Sequence, residues 1–243
     1  MCIGADAKNI TLNWIVDGEQ YGTPTMCEYS GDVILPTPPT KYGYTFAGWK
    51  PRDYIFLEYI EGVDNIQYID TGVIPTKDMN IYAKFAIQEE TNTTISFFGC
   101  RYDWYKGVYI FVTPSFFGVD WFGQTENDRL MINNLRNIGD LYEFNINNSL
   151  ANVTKNGVHI GSKQFNKNDS SDLTIFINGI NSPSSPDSGT KNRIYHFKID
   201  GIADMRPAIR SSDNAVGMYD VIRQRFFENA GTGAFTAGPI INE

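Results

Sequence analysis

Apolar residues in this chain recur at every second position over short runs, and a helical period of 3.6 is sustained nowhere for long. That pattern restricts the chain to packed β-sheets, because side chains along a strand point alternately to the two faces of its sheet. From residue 57 onward the runs fall at 80–87, 94–99, 107–113, 141–146, 150–155, 158–165, 173–178 and 193–200. Between two of them stands Asn156-Gly157, the pair favoured in a two-residue type I′ hairpin, where both central residues need positive φ. Strands of this length and spacing predict an antiparallel two-sheet sandwich. Residues 128–139 are the one stretch where a short helix fits. Composition agrees with an all-β dominated fold: 42% hydrophobic and 14% aromatic residues can fill a core, and 22 Gly and 11 Pro without a repeat supply turns.

Length leaves one or two domains open, since 243 residues exceed a typical domain while single sandwiches reach roughly 250. The pattern before residue 50 differs from the rest. Residues 9–16 alternate through Ile10, Leu12 and Trp14 and run into the turn pair Asp17-Gly18, as a strand entering a hairpin does. There follow Tyr21-Gly22, a short strand around Val33-Ile34-Leu35, Pro36-Thr37-Pro38-Pro39, and then Gly43-Tyr44-Thr45-Phe46-Ala47-Gly48-Trp49. In this order and spacing the segment, about residues 8–50, resembles the Listeria–Bacteroides repeat. The resemblance implies a small β-grasp-like fold and relatives among bacterial surface proteins and phage proteins. Phe46 and Trp49 read as core aromatics, and Gly43 and Gly48 as turn formers. The expected division is a module at 1–50, a short polar joint at 51–56 and the sandwich at 57–243.

Gln67-Tyr68-Ile69-Asp70-Thr71-Gly72 stands at one end of the larger part. At the other stand Ile194-Tyr195, Met205-Arg206-Pro207, Gly217-Met218-Tyr219-Asp220 and Asn229-Ala230-Gly231-Thr232-Gly233. Together they resemble a concanavalin A-like, laminin-G-like jelly-roll domain found in gut bacteria and their phages, over about residues 57–239. The resemblance implies that the first and last strands pair. Tyr219, Phe227 and Phe235 fall where they could fill the sandwich, and Gly231 and Gly233 flank Thr232 in a tight turn.

Several chemistries lack their residues. A formal net charge of −8 opposes the clustered Lys and Arg that nucleic acid binding needs, and Arg206 to Arg210 are interrupted by apolar residues. Three cysteines, Cys2, Cys27 and Cys100, sit at irregular spacing with no C-x-x-C pair, and read as free thiols, a Cys2–Cys27 disulfide being the alternative. No apolar run of membrane-spanning length occurs, so no membrane partner is expected. His159 and His196 have no nucleophile motif around them and read as outward-facing strand residues. Glu89-Glu90 are neighbours and point to opposite faces of a strand, so no catalytic pair of carboxylates is legible, and no enzymatic activity is expected. No metal site or cofactor is expected: Asp169, Asp172 and Asp187 are candidate calcium ligands, with a solvated turn as the favoured reading.

The binding candidates are aromatic. Tyr102, Trp104 and Tyr105 stand among Arg101, Asp103 and Lys106 in a loop-like segment, with Trp121 further on. Rings beside charged groups are how lectin-like sites stack on sugars, although the same rings can serve the core or a protein partner. Met1 is followed by no basic and apolar leader, which favours a virion component, a capsid decoration protein or fibre, over an exported protein. Its partners would be capsid or tail proteins and cell-surface or mucus glycans. The alternative is a carbohydrate-binding adhesin or accessory module on the bacterial cell surface.

Overall fold

A computed structural model describes residues 9–241, apart from 18, 29–32, 50–52, 63–66, 90–91, 103–106, 124, 134–135, 167–170, 184–186 and 189–190. The chain divides into two compact units, one within the first 52 residues and the other Asp53–Ile241.

In the first unit, Asn9–Leu12 pairs antiparallel with Thr25–Glu28, and Ile15–Val16 with Glu19–Gln20. The turn between the latter two holds Asp17 at φ 52°. These strands are too short to bury a sheet face, so an aromatic cluster holds the unit instead. The Trp49 ring lies 5.0 Å from Trp14, 5.1 Å from Phe46 and 5.8 Å from Tyr21. Each indole N–H has an acceptor: Trp14 donates to Thr25 Oγ1 at 2.9 Å and Trp49 to the Pro36 carbonyl at 3.3 Å.

The second unit is an antiparallel β-sandwich of jelly-roll type. One sheet has six strands in the order Leu130–Asn133, Phe116–Trp121, Gly107–Val112, Ile95–Arg101, Phe176–Ile177, Ile69–Asp70. The other has eleven, eight of them along the path Val158–Gln164, Leu150–Lys155, Leu141–Asn147, Ile81–Ile87, Asn192–Ile199, Ala203–Arg210, Val216–Asp220, Arg225–Phe227, with Tyr54–Phe56, Ile60–Glu61 and Thr236–Ala237 joined beside it. Phe85, Phe97, Phe98, Phe117, Tyr142, Phe144 and Phe197 fill the core between the sheets, mostly in edge-to-face and offset contacts. The hairpin at Asn156-Gly157 has the expected turn, with φ of 51° and 78°.

The two ends of this unit close on each other. Tyr54–Phe56 pairs with Ala203–Arg210, and Ile60–Glu61 with Thr236–Ala237. The sequence motifs that carry the jelly-roll resemblance meet at this seam. Asn229 accepts from the Tyr68 and Gly231 N–H groups, both at 3.0 Å, and donates to the Thr232 and Gly233 carbonyls at 2.8 and 3.0 Å. Gln67 Nε2 donates to the Ala234 carbonyl at 3.1 Å. Asp220, fully buried, accepts from the N–H groups of Asp204, Ile222 and Arg223 and pairs with the Arg223 guanidinium, which also reaches the Thr71 carbonyl at 2.7 Å. These residues tie the fold shut.

Two expectations are corrected. Residues 128–139 do not form a helix: the helical turn is Glu126–Asp128, and Leu130–Asn133 is a strand with Leu130 and Ile132 buried and Met131 exposed, a period of two that sheet packing enforces. Phe227 and Phe235 do enter the core, but Tyr219 lies outside it and stacks on Tyr54 at 4.1 Å, because Gly217 and Met218 take the buried positions of its strand.

Candidate functional site

Strand Gly107–Val112 sends Val108, Ile110 and Val112 into the main core, which leaves Tyr109 and Phe111 on the other face of the six-stranded sheet. There they stack at 4.4 Å and form a small second cluster with Ile180, against which Phe116 packs. Gly118 permits this arrangement: a Cβ there would collide with the Phe111 ring, which lies flat on the sheet. Tyr109 Oη is 2.9 Å from Ser96 Oγ.

Two guanidinium groups cover the rings. Arg101 lies over Tyr109 at 4.9 Å and Arg129 over Phe111 at 4.8 Å, positions in which a cation is attracted to the ring face. Arg129 also grips Asp120 with two bonds of 2.7 and 2.6 Å. Burial pushes the Asp120 carboxyl above its ordinary value, and the Arg129 bonds work against that rise. The pair therefore fixes Arg129 in place over the ring.

Tyr102 follows Arg101 directly and is 72% exposed, an aromatic ring offered to solvent beside a cation. Trp104 and Tyr105 lie outside the described residues. Trp121 does not belong to this surface. It is 1% exposed and packs edge-on to Phe122 at 5.4 Å, because it shares the core-facing register of Phe117 and Val119. Asp120 and Arg129 were not singled out in the sequence. The signal was there in Asp120, a charged residue between the apolar Val119 and Trp121, but its partner depends on a strand pairing that spacing does not show.

Other titratable groups are accounted for locally. His196 Nε2 is 2.6 Å from Asp204 Oδ1, and no serine bonds to either histidine among the described residues. Burial raises the Cys100 thiol. Burial and the neighbouring Glu143 carboxylate push Tyr82 up to about 12. Among the described residues no three His, Cys, Asp or Glu side chains cluster as metal ligands do, and no helix is long and apolar enough to cross a membrane. Asp169 and the Asp187 side chain lie outside the described residues.

Residues 11–84 match the Listeria-Bacteroides repeat domain. The match begins within the segment whose motifs carry the resemblance and continues through Tyr54–Phe56, Ile60–Glu61 and Ile69–Asp70 of the sandwich unit. No curated protein matches the chain in sequence. Among solved structures, a Bacteroides ovatus protein provisionally described as carbohydrate binding aligns with 90% of this chain and 69% of its own, at 10% identity and a TM-score of 0.53. The Ruminococcus gnavus IT-sialidase CBM40 bound to alpha2,3 sialyllactose aligns with 58% of this chain and 88% of its own, at 14% identity and a TM-score of 0.44. Domains LG4-5 of the mouse laminin alpha1 chain align with 78% of this chain and 50% of theirs, at 10% identity and a TM-score of 0.40. The first of these likenesses shows the fold alone, and the two lower scores carry no argument.

Proposed function

We propose, from a chain that carries a Listeria-Bacteroides repeat ahead of a jelly-roll sandwich, that the sandwich is a non-catalytic carbohydrate-binding module displayed at a bacterial surface. The observation that carries this reading is the Tyr102 ring, exposed beside Arg101 at the end of a rigid strand. Stacking of a sugar on such a ring uses the apolar C–H face of the pyranose, and the guanidinium of Arg101, the preceding residue, carries donors for ring substituents. The Tyr109–Phe111 stack, with Arg101 over Tyr109 and the Asp120-bound Arg129 over Phe111, lies on the strand that pairs with the one Tyr102 follows. Trp104 and Tyr105, outside the described residues, stay candidates for the same ligand on the sequence alone. The fold shared with a Bacteroides protein described in terms of carbohydrate binding supports the reading. The particle-bound role expected from the sequence rested on the start of the chain, and the comparisons support the surface-protein alternative better.

The test is a titration of the full chain against an array of mucin-type and bacterial surface glycans, followed by calorimetry on the best ligand. Tyr102→Ala is expected to weaken that ligand about tenfold or more, the loss of one well-used stacking contact, while the thermal midpoint stays put. Affinity equal to that of the parent protein would refute a role for this rim.

A further inference from the structure

The larger sheet carries a recess that the Tyr102 rim does not line. Strands Leu141–Asn147, Leu150–Lys155 and Val158–Gln164 form a depression of about 490 Å³ lined by Asn145, Asn147, Asn148, Leu150, Asn152 and Gln164. It is open to solvent, so a ligand would lie on the sheet face and not inside an enclosed cavity. No charged side chain lines it, in a chain of net charge −8.

Two of these residues have structural work. Asn148, at φ 49°, forms the hairpin turn with Ser149, at φ 61°, and its N–H donates to Asn80 Oδ1 at 3.0 Å. Gln164 Nε2 donates to the Asn148 carbonyl at 3.0 Å. Asn145, Asn147 and Asn152 have no such work: their carboxamides make no hydrogen bond among the described residues. Asn is a poor strand former, so three of them on two paired strands are not there for sheet stability. Asn145 stands directly opposite Asn152, and Asn147 is two positions along on the same face.

Each carboxamide sets an acceptor beside two donors, the complement of neighbouring sugar hydroxyls that both donate and accept. Cross-strand neighbours stand roughly 5 Å apart and alternate residues about 6.5 Å apart, a grid on the scale of one pyranose ring. Leu150, 39% exposed, gives the recess an apolar wall for a sugar C–H face. A carboxylate or ammonium would find no counter-charge among the lining residues. We propose that this depression is a second binding site, independent of the Tyr102 rim, that takes a neutral saccharide through Asn145, Asn147 and Asn152.

The full chain, labelled with nitrogen-15, is titrated to about 50 mM with the methyl glycosides of glucose, galactose, mannose, N-acetylglucosamine and N-acetylgalactosamine, with that of N-acetylneuraminic acid as the charged control. Saturable movement of the Asn145, Asn147 and Asn152 side-chain amide signals is expected with at least one neutral glycoside, unchanged in Tyr102→Ala and at least about tenfold weaker in Asn145→Ala/Asn152→Ala. Asn145→Asp, which keeps the shape and replaces the donor by a charge, serves as a second variant. No saturable movement across the panel, survival of binding in both variants, or equal binding of the charged control would overturn the proposal. Binding lost in Tyr102→Ala but kept in the double variant would support the rim and overturn the second site.

Discussion

Replacing Asn229 with Ala removes a side chain that bonds both ends of the sandwich at once. Four hydrogen bonds go. The two to the Thr232 and Gly233 carbonyls are solvent-exposed, and water replaces much of their value. The two accepted from the Tyr68 and Gly231 N–H groups are partly buried, and the Tyr68 bond spans 161 positions of chain. At about 0.5 kcal/mol for each exposed bond and about 1 kcal/mol for each partly buried one, the expected loss is about 3 kcal/mol. For a unit of this size each kcal/mol moves the thermal midpoint by about 2–4 °C, which gives a fall of roughly 6–12 °C. Asn229→Asp keeps the acceptor oxygen and loses the amide donor, so its loss is expected to lie between parent and Ala. The assay is urea denaturation and differential scanning calorimetry of all three proteins, with the sandwich transition followed separately. A loss below about 1 kcal/mol for Ala, or an Asp variant no better than Ala, would refute the view that this amide ties the seam.

Trp121→Ala is expected to cost about 3–5 kcal/mol in urea denaturation, as for a large buried ring. A loss under about 1 kcal/mol would contradict its place in the core. Asp140 gives a pH signature. Burial alone pushes its carboxyl up, but Lys155 Nζ and the Asn137 N–H, both at 2.7 Å, and the Asn156 amide at 3.0 Å outweigh this and hold it below the usual carboxylate value. A carboxylate depressed on folding contributes stability above its unfolded pKa and loses it as pH falls through the folded one. Asp140→Asn is therefore expected to be less stable than the parent at neutral pH, with a shallower decline below about pH 4. Parallel acid limbs in urea melts across that range would refute the assignment.

Local chemistry made much of the fold legible. Asn156-Gly157 announced its hairpin because positive φ is a property of those two residues, and the long alternating runs announced their strands because one face is buried. What failed depended on pairing. Counting back from Phe197 by twos places Tyr195 on the core side, yet an irregularity between Ile194 and His196 makes Ile194 the buried residue and turns Tyr195 outward. Trp121 was readable as a core residue from Phe117 and Val119, four and two positions before it, but proximity to the aromatic loop suggested otherwise. The Asp120–Arg129 pair needed Phe116–Trp121 to lie against Leu130–Asn133, and the Asn229–Tyr68 bond needed both ends of the unit in place. In each case the residues were visible and the partner was not, because neither composition nor period encodes which strands become neighbours.

The closure of the sandwich by its own ends also sets an order of events during synthesis. Tyr68 and Gln67 find their partners 161 and 167 positions later. At about 5–20 residues per second, that leaves the front of the sandwich without its seam for roughly 10–30 s on the ribosome. For most of that interval Ile60–Glu61 lacks both strands it will pair with, until Asn192–Ile199 is made, and its backbone groups are open to any other edge nearby. Topologies built on such distant contacts fold slowly, in milliseconds to seconds once the chain is complete. Nascent chains of this protein thus depend on being kept apart from one another until their last strands emerge.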